Sequence, residues 1–127
     1  MSSNPGIRTF ESAILYKLDN MMIRIEIEQI CARNGTKVAT ARSTEELRSI
    51  LEHDESSNKS LVICDLVSSQ RKLDTLASFR KNFGFAILGF YPHVNKKIEA
   101  LAHTVGVDYI VPRSALYARI SGLLKAK

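Results

Sequence analysis

SLVICDLV, residues 60–67, is the stretch that decides the fold. Its apolar run, residues 61–64, has the character of a strand that is buried on both faces, as in the middle of a parallel sheet. The run ends on Asp65, and an unpaired aspartate is almost never fully buried. We therefore expect Asp65 at the carboxyl end of the strand, which is the edge where open α/β sheets bind ligands.

The composition is that of one globular domain. The chain has 127 residues, of which 45% are hydrophobic and 24% are charged. We assign residues 1–12 to a flexible N-terminal tail and residues 13–127 to a single domain. No apolar run approaches the roughly 18 residues of a membrane span, and no secretory signal is recognisable. We expect a cytoplasmic protein with two reduced core cysteines, Cys31 and Cys64.

Strand and helix patterns alternate along the chain. Besides the central strand, we predict strands at 13–18, 36–41, 85–91 and 107–111, each followed by apolar residues at helical spacing. The segment after the first strand alternates like a strand over 22–28, but Asn34-Gly35 is a good helix end, so we predict a helix. Five βα units predict an α/β, flavodoxin-like (βα)5 three-layer sandwich with a parallel sheet of order 2-1-3-4-5.

This strand order brings two carboxylates together. The switch point of the sheet lies between the first and third strands, so Asp19 and Asp65 are expected side by side at the mouth of the cleft. Two such carboxylates can hold a hard cation, and one of them could be a nucleophile that forms an aspartyl-phosphate. Phosphoryl transfer also needs a divalent ion and a fixed cation nearby.

From about Ala13 to Leu124 the chain resembles a response-regulator receiver domain of two-component signalling. Asp65 matches the phospho-accepting aspartate of that family, and residues 106–109, Gly-Val-Asp-Tyr, are similar to the entry to its last strand. The resemblance implies a phosphorelay signalling module that is not itself an enzyme. It also implies a Mg²⁺ site formed by Asp19, Asp65 and a backbone carbonyl near Val67.

The chain departs from the family pattern at several positions. Leu18 replaces the first of two adjacent acids, and Tyr91 stands at the Thr or Ser position that ends the fourth strand. Arg113-Ser114 replaces Lys-Pro, which keeps the charge but changes its geometry. The resemblance therefore implies a degenerate or pseudo-receiver that requires no cofactor, binds Mg²⁺ weakly at best and does not depend on phosphorylation of Asp65.

Each of these residues also has a purely structural interpretation. Asp19 could cap the first helix, and Tyr91 could be a core aromatic residue. Asp65 could be a vestige that is held by loop amides. We also hypothesise an ion pair between Asp65 and Arg113 that would lock the domain in one state.

We expect the protein to act by binding a protein partner, because the sequence ends just after the last predicted helix. The resemblance implies a docking or homodimer surface on the fourth helix, fifth strand and fifth helix, which would include Lys96, Lys97, Tyr109, Tyr117 and Arg119. One alternative is a working receiver that uses Asp65 and Mg²⁺. A second is a nucleic-acid-binding domain, suggested by the net charge of +5, although the basic residues are scattered and solvated helix faces explain them better.

Overall fold

A computed structural model of the protein describes residues 8–92 and 95–124. Within these ranges strand and helix alternate five times. Short 3₁₀ turns precede β3, α3 and α5. The elements are β1 (Ser12–Tyr16), α1 (Met21–Arg33), β2 (Lys37–Ala41), α2 (Thr44–Glu52), β3 (Ser60–Asp65), α3 (Leu73–Phe83), β4 (Ala86–Tyr91), α4 (Lys96–Val105), β5 (Tyr109–Pro112) and α5 (Leu116–Leu123).

The strands form one parallel sheet in the order β2-β1-β3-β4-β5, which confirms the predicted topology. β3 is the central strand, and its residues from Ser60 to Cys64 are fully buried. Its register pairs Cys64 with Tyr16 of β1 and Asp65 with Phe90 of β4. Asp65 therefore ends the central strand at the carboxyl edge of the sheet, as its sequence predicted.

Helices cover both faces of the sheet because the strand side chains alternate in direction. Leu61 and Ile63 pack in the core cluster that includes residues of α1 and α5. Val62 and Cys64 pack in the second cluster, with residues of α2, α3 and α4. The strand–helix alternation thus produces the predicted three layers.

The first helix, whose sequence pattern was ambiguous, is an α-helix. Its inner face is formed by four buried residues at helical spacing: Ile23, Ile27, Ile30 and Cys31. Asn20 begins the helix, because its side-chain oxygen accepts the N–H of Ile23 at 3.1 Å. The capping role considered for Asp19 is therefore wrong, since the neighbouring Asn20 fills it.

The N-terminal boundary differs from the prediction. Residues 1–7 of the predicted tail, like residues 125–127 of the predicted domain, lie outside the described residues. Phe10, however, is fully buried, its N–H donates to the carbonyl of Leu123 at 2.8 Å, and its ring meets Tyr109 edge-on at 6.2 Å. Residues 10–12 therefore belong to the packed domain, because an apolar ring covers the end of α5.

Candidate functional site

Asp65 closes a tight turn with its own loop. The carboxylate oxygen Oδ1 accepts the backbone N–H of Val67 at 2.9 Å and that of Ser68 at 3.4 Å. The N–H of Ser69 donates to the Asp65 carbonyl at 2.9 Å. This is the common way in which an aspartate organises a turn two residues ahead. The side chain is half-buried, so it lies at the rim of the cleft and in contact with the loop after β3.

Leu18, which the family resemblance matches to an acid, is part of the core. Only 3% of its surface is exposed, and it packs in the same cluster as Ile23 and Ile27 of α1. Asp19, the next residue, is exposed. The β1–α1 loop turns at Lys17, which has a positive φ of 49°. This loop therefore carries a buried leucine and, next to it, one exposed carboxylate.

Tyr91, at the end of β4, is a core residue. It is 8% exposed and packs in the cluster formed with α3 and α4, near Ile98. Burial and the nearby Glu99 carboxylate raise the pKa of the Tyr91 phenol. The ring is thus a core aromatic, as one interpretation of the sequence predicted, and it packs on the α4 side of the sheet. The position that the resemblance matches to a short hydroxyl therefore carries a packed aromatic ring.

Arg113 lies in the 3₁₀ turn after β5 and is exposed. The residue paired with Tyr91 across the sheet is Pro112, so Arg113 lies one position beyond the paired strand. Among the described residues Arg113 forms no ion pair with Asp65, whose carboxylate accepts loop amides instead. The hypothesised Asp65–Arg113 lock is therefore wrong.

Leu66 and Gly89 are the site residues that sequence reasoning missed. Leu66 follows Asp65, is fully buried, and donates its N–H to the carbonyl of Phe90 at 2.9 Å. Its side chain lies over Gly89, where the methyl carbon of an alanine would come within 2.6 Å of the Leu66 Cγ. A glycine inside an apolar strand is the one signal of such a close approach. This contact attaches the loop that follows Asp65 to β4.

The donor set for a metal ion is incomplete at this edge. The described residues contain no group of three or more His, Cys, Asp or Glu side chains that could hold a metal. Leu18 offers no oxygen, and Oδ1 of Asp65 already accepts two N–H groups. The residues present therefore lack one acid of the set that receiver domains use, because Leu18 stands at that position in the family resemblance.

The predicted docking face is partly engaged within the chain, since Tyr109 and Tyr117 pack against the core while its charged residues are exposed. Tyr109 packs against Phe10 on one side, and the guanidinium of Arg119 lies 5.3 Å from the centre of the Tyr109 ring. Lys96 and Lys97 are exposed. Large exposed apolar side chains occur elsewhere in the described chain: Met21, Met22, Ile25, Val38 and Val67. Of these, three lie on α1.

A cavity of about 600 Å³ lies at the opposite, amino-terminal edge of the sheet, lined by the starts of β1 and β2 and the end of α2. It does not include Asp65, so it is separate from the carboxyl-edge site. Across the described ranges, no helix combines the length and apolar character that crossing a bilayer requires.

Solved structures of receiver domains have the same fold. A response regulator from Thermotoga maritima matches with a TM-score of 0.71 at 14% identity, over 91% of this chain and 98% of that chain. A signal receiver domain from Bermanella marisrubri matches with a TM-score of 0.66 at 22% identity, over 91% and 98%. A third match comes from a co-crystal of the Saccharomyces cerevisiae histidine phosphotransfer protein Ypd1 with the receiver domain of its downstream response regulator Ssk1. It has a TM-score of 0.67 at 13% identity, over 91% of this chain and 89% of that chain.

No protein-family model and no curated protein matches the sequence. The structural matches thus establish that the chain has the receiver-domain fold.

Proposed function

We propose that this protein with a receiver fold is a signalling module that acts by binding another protein, without phosphorylation of Asp65. The observation that carries the proposal is the burial of Leu18, in the place of an acid, together with the hydrogen bond by which the Asp65 carboxylate accepts an amide of its own loop. The module is a binding protein rather than an enzyme and requires no metal cofactor. We place it in the cytoplasm, where the two free cysteines stay reduced.

The chemistry of the site supports this proposal. An aspartyl-phosphate is formed efficiently only when a divalent ion and fixed donors neutralise the phosphoryl oxygens. Here Leu18 provides no metal ligand, and Tyr91 is packed towards α4. Removing one oriented electrostatic group costs about 10²–10³ in rate, although such losses are not additive. Two altered groups are enough to make phosphorylation too slow to be a useful signal.

The fold supports a protein as the partner. One structural neighbour is a receiver domain crystallised with a phosphotransfer protein. In this chain, α1 exposes apolar side chains that a partner could cover, with Met21 at 61% and Met22 at 79% exposure. The basic residues are scattered rather than gathered in a stripe, which disfavours nucleic acid as the partner.

A working receiver is the second candidate. Arg113 forms no ion pair within the described chain and is exposed, as is Asp19, while Asp65 is half-buried at the rim. In that case Asp65, Asp19 and the Val67 carbonyl would hold Mg²⁺, and Arg113 would contact the phosphoryl group.

Intact-mass spectrometry decides between the two candidates. The protein is incubated with Mg²⁺ and acetyl phosphate, beside a phosphorylatable receiver as positive control and Asp65→Ala as negative control. We expect the mass to stay unchanged in both forms of this protein. A gain of one phosphoryl group that vanishes in Asp65→Ala would overturn the proposal and establish the second candidate.

A further inference from the structure

The outer face of α1 carries a short heptad pattern. Met22, Ile25, Gln29 and Ala32 follow one another at spacings of three, four and three residues, and all four are exposed. On a helical wheel they lie directly opposite the buried face that begins with Ile23. The spacing is that of the a and d positions of a two-helix seam, with one polar residue, Gln29, at an a position. Met22 is 79% and Ile25 is 44% exposed, so none of the described residues covers the seam.

Charged residues flank this seam in a defined order. Glu28 occupies the g position, and Arg33 occupies the e position of the following heptad. In parallel helix pairs these two positions face each other across the seam. Neither residue forms an ion pair within the described part of the chain. Both charges are therefore available to a partner helix.

We propose that the α1 seam binds the α1 seam of a second copy of this chain, with the two helices parallel. The inference rests on the proposed function, since it names the protein partner. In the parallel pair Glu28 of each copy faces Arg33 of the second copy, which gives two opposite-charge contacts related by twofold symmetry. An antiparallel pair about the same seam brings Glu28 next to Glu28 of the second copy, and Glu26 next to its own equivalent. Charge complementarity thus selects the parallel pair.

The association is weak and reversible. α1 has 13 residues, so the seam spans two heptads only. Stable coiled coils sustain the pattern over about three or four heptads, and small interfaces belong to transient complexes. We expect a dissociation constant on the order of 10–100 μM, in the range typical of transient contacts.

Sedimentation equilibrium of the full chain tests the proposal across this concentration range. We expect a reversible monomer–dimer equilibrium that Ile25→Glu weakens by at least about tenfold, because each copy would bury a charge in the seam. Val38→Glu is the control: it places the same charge on another exposed apolar residue, 36% exposed, that lies on β2 outside α1, and should leave the equilibrium unchanged. Circular dichroism confirms that the variants stay folded.

Charge reversal tests the parallel orientation. Glu28→Lys and Arg33→Glu should each weaken the dimer several-fold, because each creates like charges across the seam. An equimolar mixture of the two variants should regain the wild-type association, since every Glu28→Lys copy then finds opposite charges on its Arg33→Glu partner.

A protein that stays monomeric, a dimer that tolerates Ile25→Glu, or a mixture that fails to recover would overturn the inference. None of these results bears on phosphorylation, which the mass experiment decides separately. If the protein does not dimerise and its mass stays unchanged after incubation with acetyl phosphate, a second copy is not the partner. The proposed function would still hold in that case.

Discussion

At the scale of single residues, Asp65 shows how a reactive-looking carboxylate can be a structural group. Its position at the end of β3 follows from the sequence, but its oxygen Oδ1 is occupied by the amides of Val67 and Ser68. These hydrogen bonds satisfy backbone donors at the start of the loop, which would otherwise depend on water. The carboxylate therefore contributes to loop geometry without any contact to Arg113.

Replacing Asp65 separates the two roles considered for it. Asp65→Asn keeps an acceptor oxygen for the Val67 amide, so we expect the free energy of unfolding to change by less than about 0.5 kcal/mol. Asp65→Ala loses the acceptor and should cost about 1 kcal/mol. Urea denaturation measures both values. Arg113→Ala should leave the free energy of unfolding unchanged. Equal losses of this free energy in Asp65→Asn and Arg113→Ala would instead support an ion pair between Asp65 and Arg113.

The buried thiols predict how stability depends on pH. Burial, aided by the Asp65 carboxylate, raises the pKa of Cys64 to about 12, and burial raises the pKa of Cys31 to about 11. An unfolded thiol loses its proton near pH 8.5, while the folded one keeps it. The unfolded state then binds fewer protons, so the free energy of unfolding falls as pH rises above about 8.5, by up to about 1.4 kcal/mol per pH unit per thiol.

Denaturation curves measured between about pH 8.5 and pH 10.5 test this dependence. Cys64→Ala removes one titrating thiol, so its stability should decline less steeply with pH than that of the wild type, whatever its starting stability. If the free energy of unfolding falls equally steeply with pH in the wild type and in Cys64→Ala, the raised pKa of Cys64 is contradicted.

At the scale of elements, the contact between the β3–α3 loop and β4 sets the shape of the carboxyl edge. Leu66 turns back over the sheet onto Gly89, and its N–H pairs with Phe90. The Asp65 loop is thereby attached to the neighbouring strand as well as to its own. Any side chain at position 89 would compete with Leu66 for the same space.

Gly89→Ala should destabilise the protein by about 2 kcal/mol, because the new methyl group overlaps a fully buried side chain. Gly122→Ala is the matched control: a methyl group there meets no atom within 4 Å, and the change should stabilise α5 by up to about 1 kcal/mol. Thermal and urea unfolding measure both changes.

A double-mutant cycle of Gly89→Ala with Leu66→Ala identifies the cause of this destabilisation. If Leu66 is the residue displaced, adding Gly89→Ala to Leu66→Ala should cost much less than it does in the wild type, since the overlapping atoms are gone. Additive losses would mean that the overlap with Leu66 is not the reason.

At the scale of the whole molecule, the two ends of the described chain close the domain together. Phe10 forms a parallel bridge with Leu124, and its ring lies between Tyr109 and the guanidinium of Arg8, which is 4.9 Å from the ring centre. Arg8 also donates to the carbonyls of Asn58 and Gly84. The N-terminal segment thus connects α5, β5 and the loops at the amino-terminal edge.

Phe10→Ala should lower the free energy of unfolding by about 3–5 kcal/mol, because it removes a fully buried ring from the core. Phe10→Leu keeps most of the apolar volume and should cost clearly less. Chemical denaturation measures both. Unchanged stability in Phe10→Ala would support the flexible tail that the sequence suggested for residues 1–12.

The sequence by itself determined the order of strands and helices, the sheet order and the place of Asp65. These follow from local patterns: hydrophobic periodicity, turn residues at element ends, and the few right-handed connections available to five βα units. The resemblance to receiver domains, rather than these patterns, implied that Leu18, Tyr91 and Arg113 stand where that family has an acid, a short hydroxyl and a lysine.

Only the tertiary structure decided what those side chains contact. Most of these contacts join residues far apart in the chain. They include the packing of Tyr91 against α4, the Leu66–Gly89 contact and the docking of Phe10 on Tyr109. The structure also shows that Asp65 accepts loop amides instead of pairing with Arg113. The outer face of α1 was likewise defined only once its buried face was known. Local periodicity sets which elements form, whereas long-range packing sets which atoms meet, and the chemistry of the site depends on the latter.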